Sequence, residues 1–126
     1  MIHLKRVYEP PSTDDGFRIL VERLWPRGLS KSRAQVDLWL KEIAPSPQLR
    51  SWYGKELAKW EDFQRRYRAE LQTNAAVAQL QQLQHDQPII TFVYAAHDTE
   101  HNSALVLKAF LERTYLETDD DHADLR

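Results

Sequence analysis

The chain has no cysteine, a single methionine and only three glycines in 126 residues. The first absence removes disulfides, thiolate nucleophiles, iron–sulfur ligation and Cys-type zinc sites together. With only Gly16, Gly28 and Gly54 available, there is no glycine-rich phosphate loop and no dinucleotide fingerprint. A serine nucleophile elbow is missing too. No apolar run approaches the roughly 18 residues needed to span a bilayer, and the opening Met1-Ile2-His3-Leu4-Lys5-Arg6 is too polar for a secretory leader. The expectation is a cytoplasmic protein without membrane association. Nor is one sign of charge in excess: 17 Lys plus Arg stand against 19 Asp plus Glu, which points away from nucleic acid as a partner. The residues call for no cofactor and no metal, and no pattern specifies an oligomeric state.

What is present fits one domain. The length suffices for a single core, with four Trp, five Tyr and four Phe to fill it and to line a cleft. Ile2 and Leu4 alternate with His3 and Lys5, predicting a first strand over 2–8, at an edge. Loop formers fill 9–16, and a second strand is predicted over 17–24. Ser30 or Ser32 can cap a short helical turn. Residues 37–43 suit either a strand or a helical turn, and 48–53 a short helix ending at Gly54. From Lys55 to Leu71, Trp60, Phe63, Tyr67 and Leu71 share one helical face, while Glu61 and Asp62 precede Arg65 and Arg66 by one turn. Those acidic partners make Arg65, Arg66 and Arg68 a solvated, self-paired face rather than a nucleic-acid patch. Thr73 is positioned to cap a helix through His85. Residues 88–96 are nearly continuous in apolar and β-favouring side chains, as a central strand requires. Asp98 or Thr99 then starts a last helix to about Tyr115 or Leu116. The expected fold is α/β, a small, mainly parallel sheet of three to four strands flanked by helices, with one domain over 1–117 and an acidic, disordered tail over 118–126.

In such sheets ligands bind beyond the carboxyl ends of the strands, here the loops 8–16, 23–28 and 97–102. Two of them carry chemistry. Arg23-Leu24-Trp25-Pro26-Arg27-Gly28 brackets a stiff Trp-Pro pair with two arginines. Their planar forks suit phosphate or carboxylate, or internal carbonyls and acids. Trp25 suits packing or stacking on a flat ring, and Tyr94 adds an aromatic group at a strand end. The other loop holds Asp98, His101 and Asn102 at a helix start, where free N–H groups favour an anion. His101 suits proton transfer with Asp98 orienting it, or both serve as cap and local tie. His97-Asp98-Thr99-Glu100-His101 also formally matches an inverted zinc-protease motif, but His97 precedes the predicted helix and does not share its face with His101.

The run Val21 to Gly28, then Asp37-Leu38-Trp39-Leu40-Lys41, Ile43-Ala44-Pro45-Ser46, and Tyr94-Ala95-Ala96 leading to Asp98, His101 and Asn102, resembles the YeaO-like family of small bacterial proteins. The likeness spans roughly residues 2 to 117. It supports the element order and the choice of loops, and implies no activity. Members of the broader grouping can carry cysteines, which this chain lacks.

The residues together suggest a strand-end cleft for a small anionic molecule, a nucleotide or phosphorylated metabolite. Arg23, Trp25, Arg27, Tyr94 and Asn102 would bind it, and His101 with Asp98 would supply any acid–base chemistry. The alternative is a non-enzymatic module that docks a protein or nucleic acid through the same basic and aromatic loop. The first reading requires the Arg23–Gly28 loop to face Asp98, His101 and Asn102 across the strand ends.

Overall fold

The computed structural model describes the backbone through Asp124 and side chains through Arg113. Four strands form one sheet: β1 (Ile2–Arg6), β2 (Phe17–Leu20), β3 (Leu38–Trp39) and β4 (Ile90–Tyr94). Their order is β1-β4-β2-β3, every pair parallel, with Ile2 opposite Ile90, Phe17 opposite Ile90 and Leu20 opposite both Val93 and Trp39. The apolar run that forms β4 is therefore central, buried at every residue. β1 lies at an edge as expected. β2 is shorter than the predicted 17–24, because beyond Val21 the chain leaves the sheet and is held by side chains instead.

The two faces of the sheet are covered unequally. Ile19, Val21, Ile90, Phe92 and Tyr94 pack against the helical layer of α2 (Pro47–Tyr53), α3 (Trp60–Gln72), α4 (Ala76–Asp86) and α5 (Ser103–Asp124). Leu20 and Val93 point the other way, into a smaller cluster with Val7, Ala34, Trp25 and Trp39. That face is crossed by the β1–β2 connection and by the short helix α1 (Lys31–Ala34). It is also where the sheet carries charge. Asp15 accepts from Arg18 at 2.5 Å and Lys5 at 3.2 Å, while its carbonyl accepts from Thr91 Oγ1 at 2.7 Å. Arg18 also donates to the carbonyls of Ala34 and Gln35, so no polar side-chain atom buried here lacks a partner among the described residues.

Helix boundaries follow local capping chemistry. Ser30 caps α1 through Arg33 N–H; Ser46 caps α2, with Pro47 in its first turn and Gly54 closing it in the left-handed region. The segment 37–43, open between two readings, contains both: the two residues of β3, then a 3₁₀ turn over Lys41–Ile43. The helix predicted from Lys55 begins with a 3₁₀ turn over Leu57–Lys59, and α3 proper starts at Trp60. Two capping expectations are corrected. Thr73 ends α3, and the side chain of Asn74 accepts from Ala76 N–H at the start of α4. Asn102, rather than Asp98 or Thr99, caps α5 by accepting from Leu105 N–H at 3.0 Å. The acidic stretch 118–126 lies outside the residues whose side chains are described.

Gly16 and Gly28 both have positive φ, +63° and +72°, but differ in surroundings. A Cβ at Gly16 would stand 2.4 Å from the carbonyl oxygen of Ile89, whereas one at Gly28 would meet nothing within 4 Å. Gly16→Ala is therefore expected to cost at least about 2 kcal/mol in denaturant unfolding, and Gly28→Ala only about 1 kcal/mol. Equal costs would show that close approach of β4 to the β2 entry is not what requires Gly16.

Candidate functional site

β2 and β4 part company at their carboxyl ends. Val21 N–H still donates to the carbonyl of Val93, at 3.2 Å, but the next amide of β4's continuation, Ala95 N–H, has no backbone acceptor opposite it. The carboxylate of Glu22 takes that place, Oε2 accepting from Ala95 N–H at 2.8 Å. A side chain thus closes the ladder where the strands diverge, and a cleft of about 710 Å³ opens between these ends, α2 and the start of α5. Glu22, Ala95 and Ala96 belong to the strand ends; Arg50, Ser51, Tyr53, Gly54 and Lys55 to α2 and its exit; His101, Asn102 and Ser103 to the start of α5. Pro45, Pro47, Phe63 and His97 complete the lining.

The rim is anchored by a stitched segment. The carbonyls of Glu42, Ile43, Ala44 and Pro45 accept in turn from Asn74 Nδ2, Tyr67 Oη and, for the last two, Arg23 Nη2 and Nε. Ser46 donates through N–H and Oγ to the Glu70 carboxylate, at 2.9 and 2.6 Å. The four carbonyls of 42–45 and the N–H and hydroxyl of Ser46 are thereby occupied, which fixes the entry of α2. Beyond Gly54, Lys55 is itself left-handed, at φ 62°, a conformation costing a lysine roughly 1 kcal/mol or more.

Electrostatics divide the cleft. Burial pushes the Glu22 carboxyl above its ordinary value, while the Ala95 N–H and the nearby charges of Arg50 and Lys55 pull it back down. Neither cation forms a salt bridge within 4 Å among the described residues. Before α5, Asp98 accepts from the N–H groups of Glu100 and His101 and from His101 Nδ1, at 2.9 to 3.0 Å. The Glu100 N–H, with these His101 contacts, holds the Asp98 carboxyl below its ordinary value. A carboxylate at 3.0 Å requires the hydrogen on Nδ1, so Nε2 is the imidazole's remaining polar atom. Trp60 meets the same ring edge-on at 5.2 Å. Burial, then the charge of Asp98, raises the Tyr53 phenol.

The sequence-derived residues are thus distributed between two places. His101 and Asn102 line the cleft, and Asp98 is bonded to both without being a lining residue itself; Asn102 spends its amide on Leu105 N–H and, at 3.0 Å, on the Asp98 carbonyl. Arg23, Trp25, Arg27 and Tyr94 are not among the lining residues. Arg23 is committed to two carbonyls, Trp25 donates to the Leu29 carbonyl at 2.6 Å and packs against Trp39, and Tyr94 is buried in the core. Arg27 is exposed, its carbonyl accepting from Tyr8 Oη. The cleft's cations are instead Arg50 and Lys55, and its acid is Glu22. The signal for Glu22 was a carboxylate directly following the apolar triplet 19–21; for Lys55, a cation directly after a helix-ending glycine.

Comparison with known proteins shows the family. A family model described as the inactive DUF488-N3 subclade matches residues 1–125. The chain belongs to this family. Its similarity to the uncharacterized protein YeaO of Escherichia coli strain K12 is 43% identity over 111 residues, 87% of this chain and 96% of that protein. With the uncharacterized protein Rv3073c of Mycobacterium tuberculosis it shares 38% identity over 110 residues, 87% of this chain and 92% of the relative. The YeaO-like resemblance carried by the arginine, tryptophan and proline motif is thereby confirmed. No solved structure matches the chain. Among the described residues no helix is long and apolar enough to cross a membrane, and no group of three or more His, Asp or Glu side chains is placed to hold a metal ion.

The Glu22 balance is directly measurable. In an NMR titration of side-chain carboxyls, Glu22 is expected to ionise above the ordinary glutamate range, and Lys55→Gln to raise it further by removing a charge that favours the ionised form. Because the folded state then binds this proton more tightly than the unfolded chain, Glu22's contribution to stability falls as pH rises from its unfolded to its folded value. A midpoint at or below the ordinary range, or one unmoved by Lys55→Gln, contradicts the geometry.

Proposed function

We propose that the chain is a binding domain whose strand-end cleft receives a small anionic molecule, with a phosphoryl group as the anion. The observation that carries this reading is that Arg50 and Lys55, neither salt-bridged among the described residues, line one cleft together with His101. Free N–H groups at the first turn of α5, adjoining Ser103, add partial positive charge. Tyr53 and Phe63, stacked at 4.5 Å and buried in the core, make the wall behind these groups apolar and rigid. His101, oriented by Asp98, contributes Nε2 to the ligand. This pair has the geometry of an acid–base dyad, but the matched subclade's description as inactive favours binding over turnover.

In this reading the Arg23–Gly28 loop acts on the cleft at one remove. It anchors the 44–45 carbonyls and carries Glu22 into place. A second reading is favoured by a separate observation: Leu24 is 69% exposed and Arg27 stands beside it in solvent, as a loop docking on a macromolecule would require.

Isothermal titration with inorganic phosphate separates the two. Arg50→Ala and Lys55→Ala are each expected to weaken binding about tenfold, and Arg27→Ala to leave it within about twofold. Arg23→Ala is expected to lower the melting temperature by releasing the stitched turn. Phosphate affinity that depends on Arg27 and not on Arg50 or Lys55 would move the site to the exposed loop.

A further inference from the structure

Glu22 is an unexpected group to find in a cleft for anions. Glu22 is held at two points: its carboxylate Oε2 accepts from Ala95 N–H, and its backbone carbonyl accepts from Trp39 Nε1 at 2.7 Å. Trp39 is in turn braced by Trp25, edge-on at 5.4 Å, and by Lys41 over its ring at 4.2 Å. The second oxygen, Oε1, accepts no hydrogen bond from a described residue, and Glu22 lines the cleft. Arg50 and Lys55 are close enough for their charges to act on Glu22, yet neither comes within the 4 Å of an ion pair. Opposite charges held apart across a cavity leave a gap that is itself polarised. A bare dianion filling it would meet the carboxylate as a like charge, and a bare cation would meet Arg50 and Lys55.

Resting on the anion-cleft reading above, we propose that Glu22 is the specificity-determining residue: it accepts a hydrogen bond from the far end of the ligand, so that the cleft selects phosphorylated molecules bearing an O–H or N–H donor over simple phosphate esters. The chemistry is a dipolar match. The phosphoryl group faces Arg50 and Lys55, and the donor faces Oε1 of Glu22. A cleft of about 710 Å³ is larger than a phosphate group and leaves room for the donor-bearing remainder. Such a donor receives a charge-assisted bond in a partly dry setting, the kind with the largest net contribution.

Three probes and one variant test this. Methyl phosphate carries no donor on its organic part, ribose 5-phosphate carries hydroxyls, and phosphoethanolamine carries an ammonium group. With the wild-type chain, at least one of the last two is expected to bind at least about fivefold tighter than methyl phosphate, and which one does so identifies the donor. Glu22→Gln keeps an acceptor for Ala95 N–H. It is expected to erase that preference while leaving methyl phosphate equally or more tightly bound, since a repulsive charge is gone. Equal affinity of all three probes for wild type, or uniform weakening in Glu22→Gln, overturns the role of Glu22 and leaves the anion cleft standing. Failure of all three to bind wild type overturns both. Should Glu22→Gln fail to fold, the wild-type comparison alone decides.

Discussion

The site depends on β4 lying between β1 and β2 in a sheet whose strands all run the same way. That arrangement buries every residue of β4 and delivers the carboxyl ends of the strands to one edge. Because β1 and β4 continue together while β2 turns away after Val21, one amide of β4's extension is left without a backbone partner. Glu22 satisfies it and, in doing so, is carried to the lip of the resulting cleft. A buried amide that must be bonded thus places an acid where the strands separate.

The hydrophobic and basic residues of the Arg23–Gly28 loop and the 38–46 segment support that edge. Arg23 ties the 44–45 carbonyls, Trp25 and Trp39 brace the chain around Glu22, and the 42–46 segment is bonded at each residue by a side chain from elsewhere. Rigid supports of this kind hold a site without touching its ligand. The cations that line the cleft, Arg50 and Lys55, come from α2 and its exit rather than from the Arg23–Gly28 loop.

Much of the fold was legible because its signals are local or strongly patterned. The apolar run of 88–96 marked the central strand, the Trp60-Phe63-Tyr67-Leu71 face marked α3, and Gly54 marked the end of α2. What escaped was decided by contacts distant in sequence. β2 stops at Leu20 because Arg23 and Trp25 find partners off the sheet, a choice invisible in the β-favouring run itself. Asp98 and Asn102 are both competent caps, and only the path of the chain into α5 assigns one to the Asx turn and the other to the helix. For the site, only one of the three strand-end loops, 97–102, reaches the cleft. The arginines of 23–28 do not, since the identity of a cation's neighbours cannot be read from spacing. No spacing singles out Arg50 or Lys55 for the same reason.

The central claim is that an anion is received at the β4–α5 junction and the exit of α2, and not at the Arg23–Gly28 loop. The most direct measurement is amide chemical-shift mapping while inorganic phosphate is titrated into the isotope-labelled chain. The account predicts saturable shifts concentrated at Ala95–Ser103 and Arg50–Lys55, with Leu24–Gly28 still. Shifts confined to Leu24–Gly28, or none that saturate, would contradict it.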